Sequence, residues 1–407
     1  MKMHKSWLLA AALLGGAALA TSPAAAQKKY DTGASDTEIK VGNTNPYSGP
    51  ASAYGVIGKT IAAYFNKINA EGGVNGRKIN FVSYDDGYSP PKTVEQVRKL
   101  VESDEVLLLF QTLGTPPNTA IQKYLNAKKV PQLFVATGAT KWNDPKNHPW
   151  TIGWQPNYQS EGHIYAQYLL KNHPGGKVGI LYQNDDYGKD YVKGLKDGLN
   201  GKLPVVAELP YETSDPTIDS QIINLKASGA DVFYNVTTPK FAAQAIKKMA
   251  EIEWKPIHLL NNVSNSVGAV LKPAGLDNSK GIFSTQYLKD PTDPAWKEDP
   301  AYKEWTAFMD KYYPEGDRTS TFTVYGYLAA QTFVQTIKQC GDDLTRENVM
   351  KQAANLKDLQ LGMLLPGITI NTSATDFAPI KQMQMERFTG EKWELFGPVL
   401  TGQGGAS

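Results

Sequence analysis

The stretch IKVGNTNPYSGPASAYGVIGKTIAAYFNKINAEGGVNGRKINFVSYDDG, residues 39–87, decides the fold. Ile39–Val41 opens a strand, which Asn45, Pro46, Ser48 and Gly49 break into a loop. Apolar residues then recur at Ile57, Ile61, Tyr64, Phe65 and Ile68, the spacing of one helical face. Glu71-Gly72-Gly73 closes the helix, and Asn75-Gly76 turns the chain into a second strand alternating through Ile79, Phe81 and Tyr84. This is a βαβ unit. It leaves its loop and helix N-terminus at the carboxyl edge of a parallel sheet, where open α/β folds take up ligands.

Outward from this unit the alternation continues. A helix from Pro91, an apolar run Val106–Phe110, a helix Asn118–Asn126 and a strand Gln132–Val135 complete four strands and three helices. Residues 141–159, KWNDPKNHPWTIGWQPNYQ, lack either period and are expected to form a loop leading through Thr151–Trp154 into a second lobe. There the pattern restarts, with strands at Val178–Tyr182, Leu203–Leu209, Val232–Val236 and Ile257–Leu260 between helices. Gly281–Gln286 is expected to return as a strand to the first lobe, followed by helices near Tyr302–Tyr312, Phe322–Cys340 and Arg346–Asn355. Residues 368–397 alternate like two short strands and are expected to cross back. The expected fold class is α/β, two doubly wound parallel-sheet lobes: 37–154 plus 285–367, and 155–284 plus 368–403.

The first 26 residues form a different kind of segment. Lys2 and Lys5 precede an apolar run, Trp7–Ala20, and Ala24-Ala25-Ala26 makes an A-x-A cleavage site. The run falls short of the roughly 20 residues needed to span a bilayer, so a signal peptide is expected rather than an anchor. No lipobox-like Cys follows, which argues against a diacyl anchor and for an exported, periplasmic protein. Without residues 1–26, Lys plus Arg and Asp plus Glu balance at 40 each. That neutrality argues against nucleic acid or an anionic membrane as partner. A single cysteine, Cys340, precludes an intramolecular disulfide and is expected to be a buried, inert thiol.

Catalytic signatures are absent: no G-x-S-x-G, no H-E-x-x-H and no Cys/His pair at metal spacing. His148, His163, His173 and His258 are scattered and read as surface or capping residues. Asp85-Asp86 and Asp185-Asp186 sit at strand ends, where turn and helix-capping roles outweigh metal binding because adjacent side chains diverge. Ala53–Thr60 fits a relaxed A-x4-G-K-T nucleotide loop, but Tyr54, Val56 and Ile57 are too bulky for a phosphate cradle. The loops at strand ends suit binding better. Tyr47 and Ser48 follow the first strand, Gly114-Thr115-Pro116-Pro117 the third, and Ala136-Thr137-Gly138 the fourth. Hydroxyls with helix N–H groups at one sheet edge hold a carboxylate without arginine. Thr238 and Asn262, beyond the second-lobe strands at Val232 and Ile257, complete the candidate ligand-binding set.

The opening stretch, with N-P-Y-S-G and F-N-K-I-N-A-E-G-G-V-N-G-R-K-I, resembles the type I periplasmic solute-binding proteins of ABC importers, specifically the branched-chain amino acid receptor branch. The resemblance implies a three-segment hinge, no cofactor, and a small-molecule ligand passed by a monomeric receptor to an inner-membrane permease. It implies that Thr115 and the loop Ala136, Thr137 and Gly138 clamp the ligand carboxylate. It also implies that Tyr187, in Asp185-Asp186-Tyr187-Gly188, closes from the second lobe. The segment 215–232 matches a further hallmark of the branch. One departure stands out. The branch carries a Glu after the strand matching Ile257–Leu260, to pair with the ligand ammonium, and here the loop reads Asn261-Asn262-Val263-Ser264-Asn265-Ser266. Burying an ammonium without a counter-charge costs several kcal/mol, roughly a thousandfold in affinity. Unless Asp185 or Asp186 substitutes, the expected ligand is an apolar or aromatic carboxylate lacking an amine, held near Tyr47, Trp154, Tyr158 and Tyr187. The alternatives are a hydrophobic amino acid receptor, or an exported enzyme or sensor on the same fold.

Overall fold

The computed structural model describes residues 28–402, so the expected signal peptide lies outside the described residues. A short strand β1 (Lys29–Tyr30) precedes β2 (Glu38–Asn45), α1 (Gly55–Ala70), β3 (Lys78–Asp85), α2 (Pro90–Glu102), β4 (Leu108–Phe110), α3 (Thr115–Lys128), β5 (Gln132–Val135) and β6 (Thr151–Gly153). These form a five-stranded sheet in the order β3-β2-β4-β5-β6, parallel throughout. β6 is a strand that the sequence does not announce. Three residues flanked by Asn, Pro and Trp carry no period, and the strand is fixed by pairing with β5 instead.

The second sheet begins after α4 (Tyr158–Asn172). It comprises β7 (Val178–Gln183), α5 (Asp186–Leu199), β8 (Val205–Tyr211), α6 (Asp219–Ala227), β9 (Val232–Val236), α7 (Pro239–Glu251) and β10 (Ile257–Leu260). Two short helices, α8 (Lys272–Ala274) and α9 (Leu276–Ser279), lead to β11 (Phe283–Gln286). Gly281–Gln286 was expected in the first lobe, yet β11 pairs with β10 and belongs to the second sheet. A strand's period says which faces are buried but not which neighbour it takes.

The chain then crosses to α10 (Pro300–Tyr312) and α11 (Thr321–Cys340), both packed on α1, and to β12 (Asp343–Leu344) and α12 (Arg346–Ala353). β12 pairs with β1, and Arg346 donates to the Val106 and Leu107 carbonyls. Residues 368–377, expected to cross back, stay here: Ile370 bridges Leu359, and the Thr372 hydroxyl donates to the Ala353 carbonyl at 2.6 Å. Crossing falls later, and β13 (Gln382–Phe388) and β14 (Trp393–Thr401) join the second sheet antiparallel. Its order is β14-β13-β11-β10-β9-β7-β8. The chain therefore passes between the sheets three times, after β6, after β11 and before β13.

Aromatic packing knits the first lobe, with Phe65 against Phe81, Phe110 and Phe333 at ring distances of 5.3, 5.9 and 5.1 Å. Cys340 is buried, its thiol hydrogen directed to the Thr336 carbonyl, and burial pushes its ionisation up to about 12. The folded protein should therefore resist a thiol-reactive chromogenic disulfide at about pH 8, where an ordinary cysteine reacts, and consume one equivalent only after denaturation. Rapid stoichiometric labelling of the native protein would contradict this.

Candidate ligand-binding site

Strands of both sheets end at one cleft, so the loops that follow them face each other. Between them lies a cavity holding about 640 Å³ of atom-free space. Its first-lobe wall includes Tyr54, Tyr88, Thr115 and Ala136, its second-lobe wall Tyr158, Tyr187, Thr238, Asn262 and Gln286, and Tyr287 and Tyr325 close the hinge side. The lobes touch around it: the Tyr54 hydroxyl donates to the Val263 carbonyl at 2.9 Å. Among the described residues, no Asp, Glu, Lys, Arg or His lines the cavity.

Of the expected site residues, Thr115, Ala136, Tyr187, Thr238 and Asn262 line the cavity. Thr137 and Gly138 stand directly behind. Trp142 Nε1 and the Tyr158 hydroxyl each donate to Thr137 Oγ1 at 3.3 Å, and Thr137 Oγ1 lies 2.5 Å from Thr115 Oγ1. With donors already aimed at its oxygen, Thr137 spends its own hydrogen on Thr115. The Thr115 O–H is thereby left to point at a ligand acceptor. Gly138 is required for space: a Cβ there would sit 2.3 Å from the Pro156 carbonyl oxygen.

Tyr47 and Ser48 are not brought to the cavity. Their N–H groups donate to Asp85 at 3.0 and 3.1 Å, the Ser48 hydroxyl adds a bond of 2.5 Å, and the Tyr47 hydroxyl pairs with Ser83. The end of β3 therefore captures the loop after β2 and folds it away from the cleft. A second correction concerns α3. Pro116 and Pro117 occupy its first turn and have no N–H, so of that turn the free donor is Thr115.

The acids at the strand ends act as turn and capping groups. Asp185 accepts from the N–H groups of Tyr187 and Gly188 and from Gln183 Nε2, and Asp186 is exposed and pairs with Lys141. Neither lines the cavity, so neither stands in for the missing Glu. The A-x4-G-K-T stretch is helical from Gly55 onward, which places Gly58 and Lys59 inside α1 rather than in a phosphate loop. With its amide nitrogen on the Asn235 and Thr237 carbonyls, Asn261 accepts the Tyr187 hydroxyl and fixes that ring in the wall. His258 is buried against Asn235, and burial pushes it down to about 3, so it is neutral.

Most of the aromatic lining was illegible in the sequence. Trp154, expected near the cleft, lies behind it, its ring edge-on to Tyr325 and its Nε1 on Thr332. Tyr54, Tyr88, Tyr287 and Tyr325 come from four separate segments that only the closed topology brings together. Gln286 is another such residue. Its Oε1 accepts from the N–H groups of Tyr287 and Leu288, which leaves Nε2 for the cavity.

Two α/β lobes with a cavity between their carboxyl edges define a binding protein of the hinge-closing class. Residues 38–392 match the periplasmic binding protein family, and the chain belongs to it. It is 25% identical over 336 residues to the "Leu/Ile/Val-binding protein homolog 2" of Brucella abortus (strain 2308), covering 80% of this chain and 85% of that one. It is 24% identical over 388 residues to "Leu/Ile/Val-binding protein homolog 7" of Brucella suis biovar 1 (strain 1330), covering 90% and 89%. Among solved structures, a branched-chain amino acid ABC transporter protein from Thermus thermophilus with bound valine superposes with a TM-score of 0.82 at 16% identity, covering 90% of this chain and 97% of that one. A fatty acid ABC transporter substrate-binding protein from Thermomonospora curvata gives 0.77 at 23%, covering 92% and 95%. This is a periplasmic binding protein with the type I fold, related to the Leu/Ile/Val-binding protein homologues.

Proposed function

We propose that this protein captures a small apolar or aromatic carboxylate lacking an amine in the periplasm and, as a monomer, delivers it to an inner-membrane ABC permease without altering it. The lobes that close on the ligand are 37–154 with 287–377, and 155–286 with 382–402. The observation that carries this reading is the hydroxyl relay ending at Thr115 in a cavity walled by aromatic rings and free of ionisable acids. The relay presents donors to an acceptor. An ammonium would find no carboxylate in the lining to pair with directly and would lose several kcal/mol on burial. The solute-binding relatives support export and transport, and their names favour a second reading, a branched-chain amino acid receptor.

A thermal-shift screen separates the two. Ligand that binds only the folded protein raises its melting temperature by mass action. Benzoate, cinnamate and aliphatic carboxylates should raise it, and leucine and valine should not. Thr115→Val, which keeps shape but removes the hydroxyl, should abolish the carboxylate shift, a loss of about 1.5–3 kcal/mol in binding for a bond to a charged group. A clear shift with leucine or valine and none with carboxylates would replace this reading by the second.

A further inference from the structure

Behind the second-lobe wall lies an acid that the ligand-binding reading does not use. Glu161, in the first turn of α4, is 1% exposed. Its Oε1 accepts the Asn262 N–H at 2.8 Å and lies 2.8 Å from the Tyr165 hydroxyl, and its Oε2 lies 2.7 Å from the Tyr191 hydroxyl. The Tyr165 hydroxyl also lies 2.7 Å from the Leu260 carbonyl oxygen. A phenol has one hydrogen, and here it faces two acceptors. One more proton resolves the conflict. A protonated Glu161 donates to Tyr165, Tyr165 donates to Leu260, and the Asn262 and Tyr191 bonds are kept. Ionised Glu161 takes the Tyr165 hydrogen for itself and removes it from Leu260. The same atoms thus serve two protonation states.

This carboxyl is wired to the cavity on two sides. Asn262 lines the cavity and hangs its N–H on Glu161. Tyr191 stacks on Tyr158 at 4.4 Å and meets Tyr187 edge-on at 5.6 Å, and both of those rings line the cavity. The groups facing Glu161 are Tyr165 from α4, Tyr191 from α5, Tyr234 from β9, Thr285 and Tyr287 at the end of β11, and Glu386 from β13. None is a cation, and Glu386 is itself buried, bonded to Asn265 Nδ2 at 2.8 Å. An anion entering the cavity therefore meets no positive side chain in the lining and places a like charge near this acid, which disfavours its ionised form.

We propose that Glu161 is a proton-binding site coupled to the cavity, so that capture of an anionic ligand draws one proton from solvent onto its carboxyl group. The coupling rests on the carboxylate reading above, whereas the proton site does not. Burial already holds this carboxyl up at about 7, so the unliganded protein is partly ionised near neutral pH and has room to take the proton up.

The test is isothermal titration calorimetry of benzoate and cinnamate into the full mature protein near pH 7.5, in phosphate and in Tris. The two buffers differ in ionisation heat, so the difference counts protons. Uptake of up to about three quarters of a proton per bound anion is expected, because about a quarter of the carboxyl is already protonated at that pH. Zero uptake by the wild-type protein overturns the coupling without recourse to any variant. Glu161→Gln, which fixes the protonated pattern of bonds, should bind with no proton uptake. Melting curves without ligand test the site itself. A carboxyl raised by folding stabilises most below its unfolded range and loses that stability as pH rises toward 7. Between pH 5 and 8 the wild-type melting temperature should fall by several degrees more than that of the variant. Parallel curves would remove Glu161 as a proton site. Diverging curves with no carboxylate bound by either protein would overturn the carboxylate reading and the coupling, and leave the proton site standing.

Discussion

Tyr187→Ala should weaken ligand binding by roughly 30- to 150-fold, about 2–3 kcal/mol, as expected for an aromatic anchor at the centre of a closed site. Tyr187 is 3% exposed, and its ring stands in the second-lobe wall between Tyr158, at 5.3 Å, and the cavity. Its hydroxyl ends on Asn261, within the same lobe. That internal bond exists whether the lobes are open or closed, so losing it lowers stability without changing the preference for the closed form. The ring is different. It covers ligand docked on Thr115 only once the lobes have met, and a contact found in one state alone shifts the equilibrium toward that state. Tyr187→Phe should therefore cost less than about tenfold in affinity, although it leaves a buried acceptor unpaired. Calorimetric titration of both variants with the carboxylate identified by thermal shift checks the prediction. Equal affinity for wild type and Tyr187→Ala would take this ring out of the site.

The division between what the sequence discloses and what it hides follows from the range of each interaction. The βαβ opening, both sheets and the long helices were legible because apolar periodicity is a local record of burial. Thr115, Ala136, Thr238 and Asn262 were legible because a parallel sheet sends every strand-end loop to one edge, whereas Tyr187 was legible only through the resemblance of Asp185-Asp186-Tyr187-Gly188 to its family. Tyr47 and Ser48 obey the same rule and still miss the cavity, because Asp85 at the end of β3 binds their N–H groups first. That competition depends on a side chain 38 positions away from Tyr47 and leaves no local trace. The destination of β11 and the late third crossing were hidden for the same reason, since both depend on which partner a segment pairs with. Glu161 was hidden more deeply. On sequence it is a polar residue in the first turn of a helix, where an acid is ordinary. Only the convergence of Tyr165, Tyr191 and the Asn262 N–H upon it makes it exceptional.

Asn118→Ala should lower the melting temperature by roughly 4–5 °C and, with it, loosen the loop that carries Thr115. Asn118 is fully buried in α3 and holds four bonds with both ends of its amide. Its Oδ1 accepts from the Thr112 hydroxyl at 2.5 Å and from Gln132 Nε2 at 2.7 Å, and its Nδ2 donates to the carbonyls of Thr112 and Gly114 at 2.7 and 2.9 Å. The two carbonyls lose little, since Ala136 N–H still reaches Thr112 and the Asn118 backbone N–H still reaches Gly114. The two donors decide the cost. Gln132 Nε2 keeps only a 3.3 Å contact to the Asn118 carbonyl, and the Thr112 hydroxyl keeps no acceptor that it now uses. Each buried donor left unpaired costs about 1–3 kcal/mol, and the missing amide leaves a void besides. A total near 3–4 kcal/mol corresponds to roughly 4–5 °C, at about 1.3 °C per kcal/mol for a chain of this length. Because three of the four bonds run to Thr112 and Gly114, the residues that set the position of Thr115, carboxylate affinity should fall as well. A variant that melts like the wild type would mean that the loop is held by its backbone pairing to Ala136 alone. One that melts low yet binds normally would separate the amide from the site and leave the hydroxyl relay through Thr137 as sufficient to position Thr115.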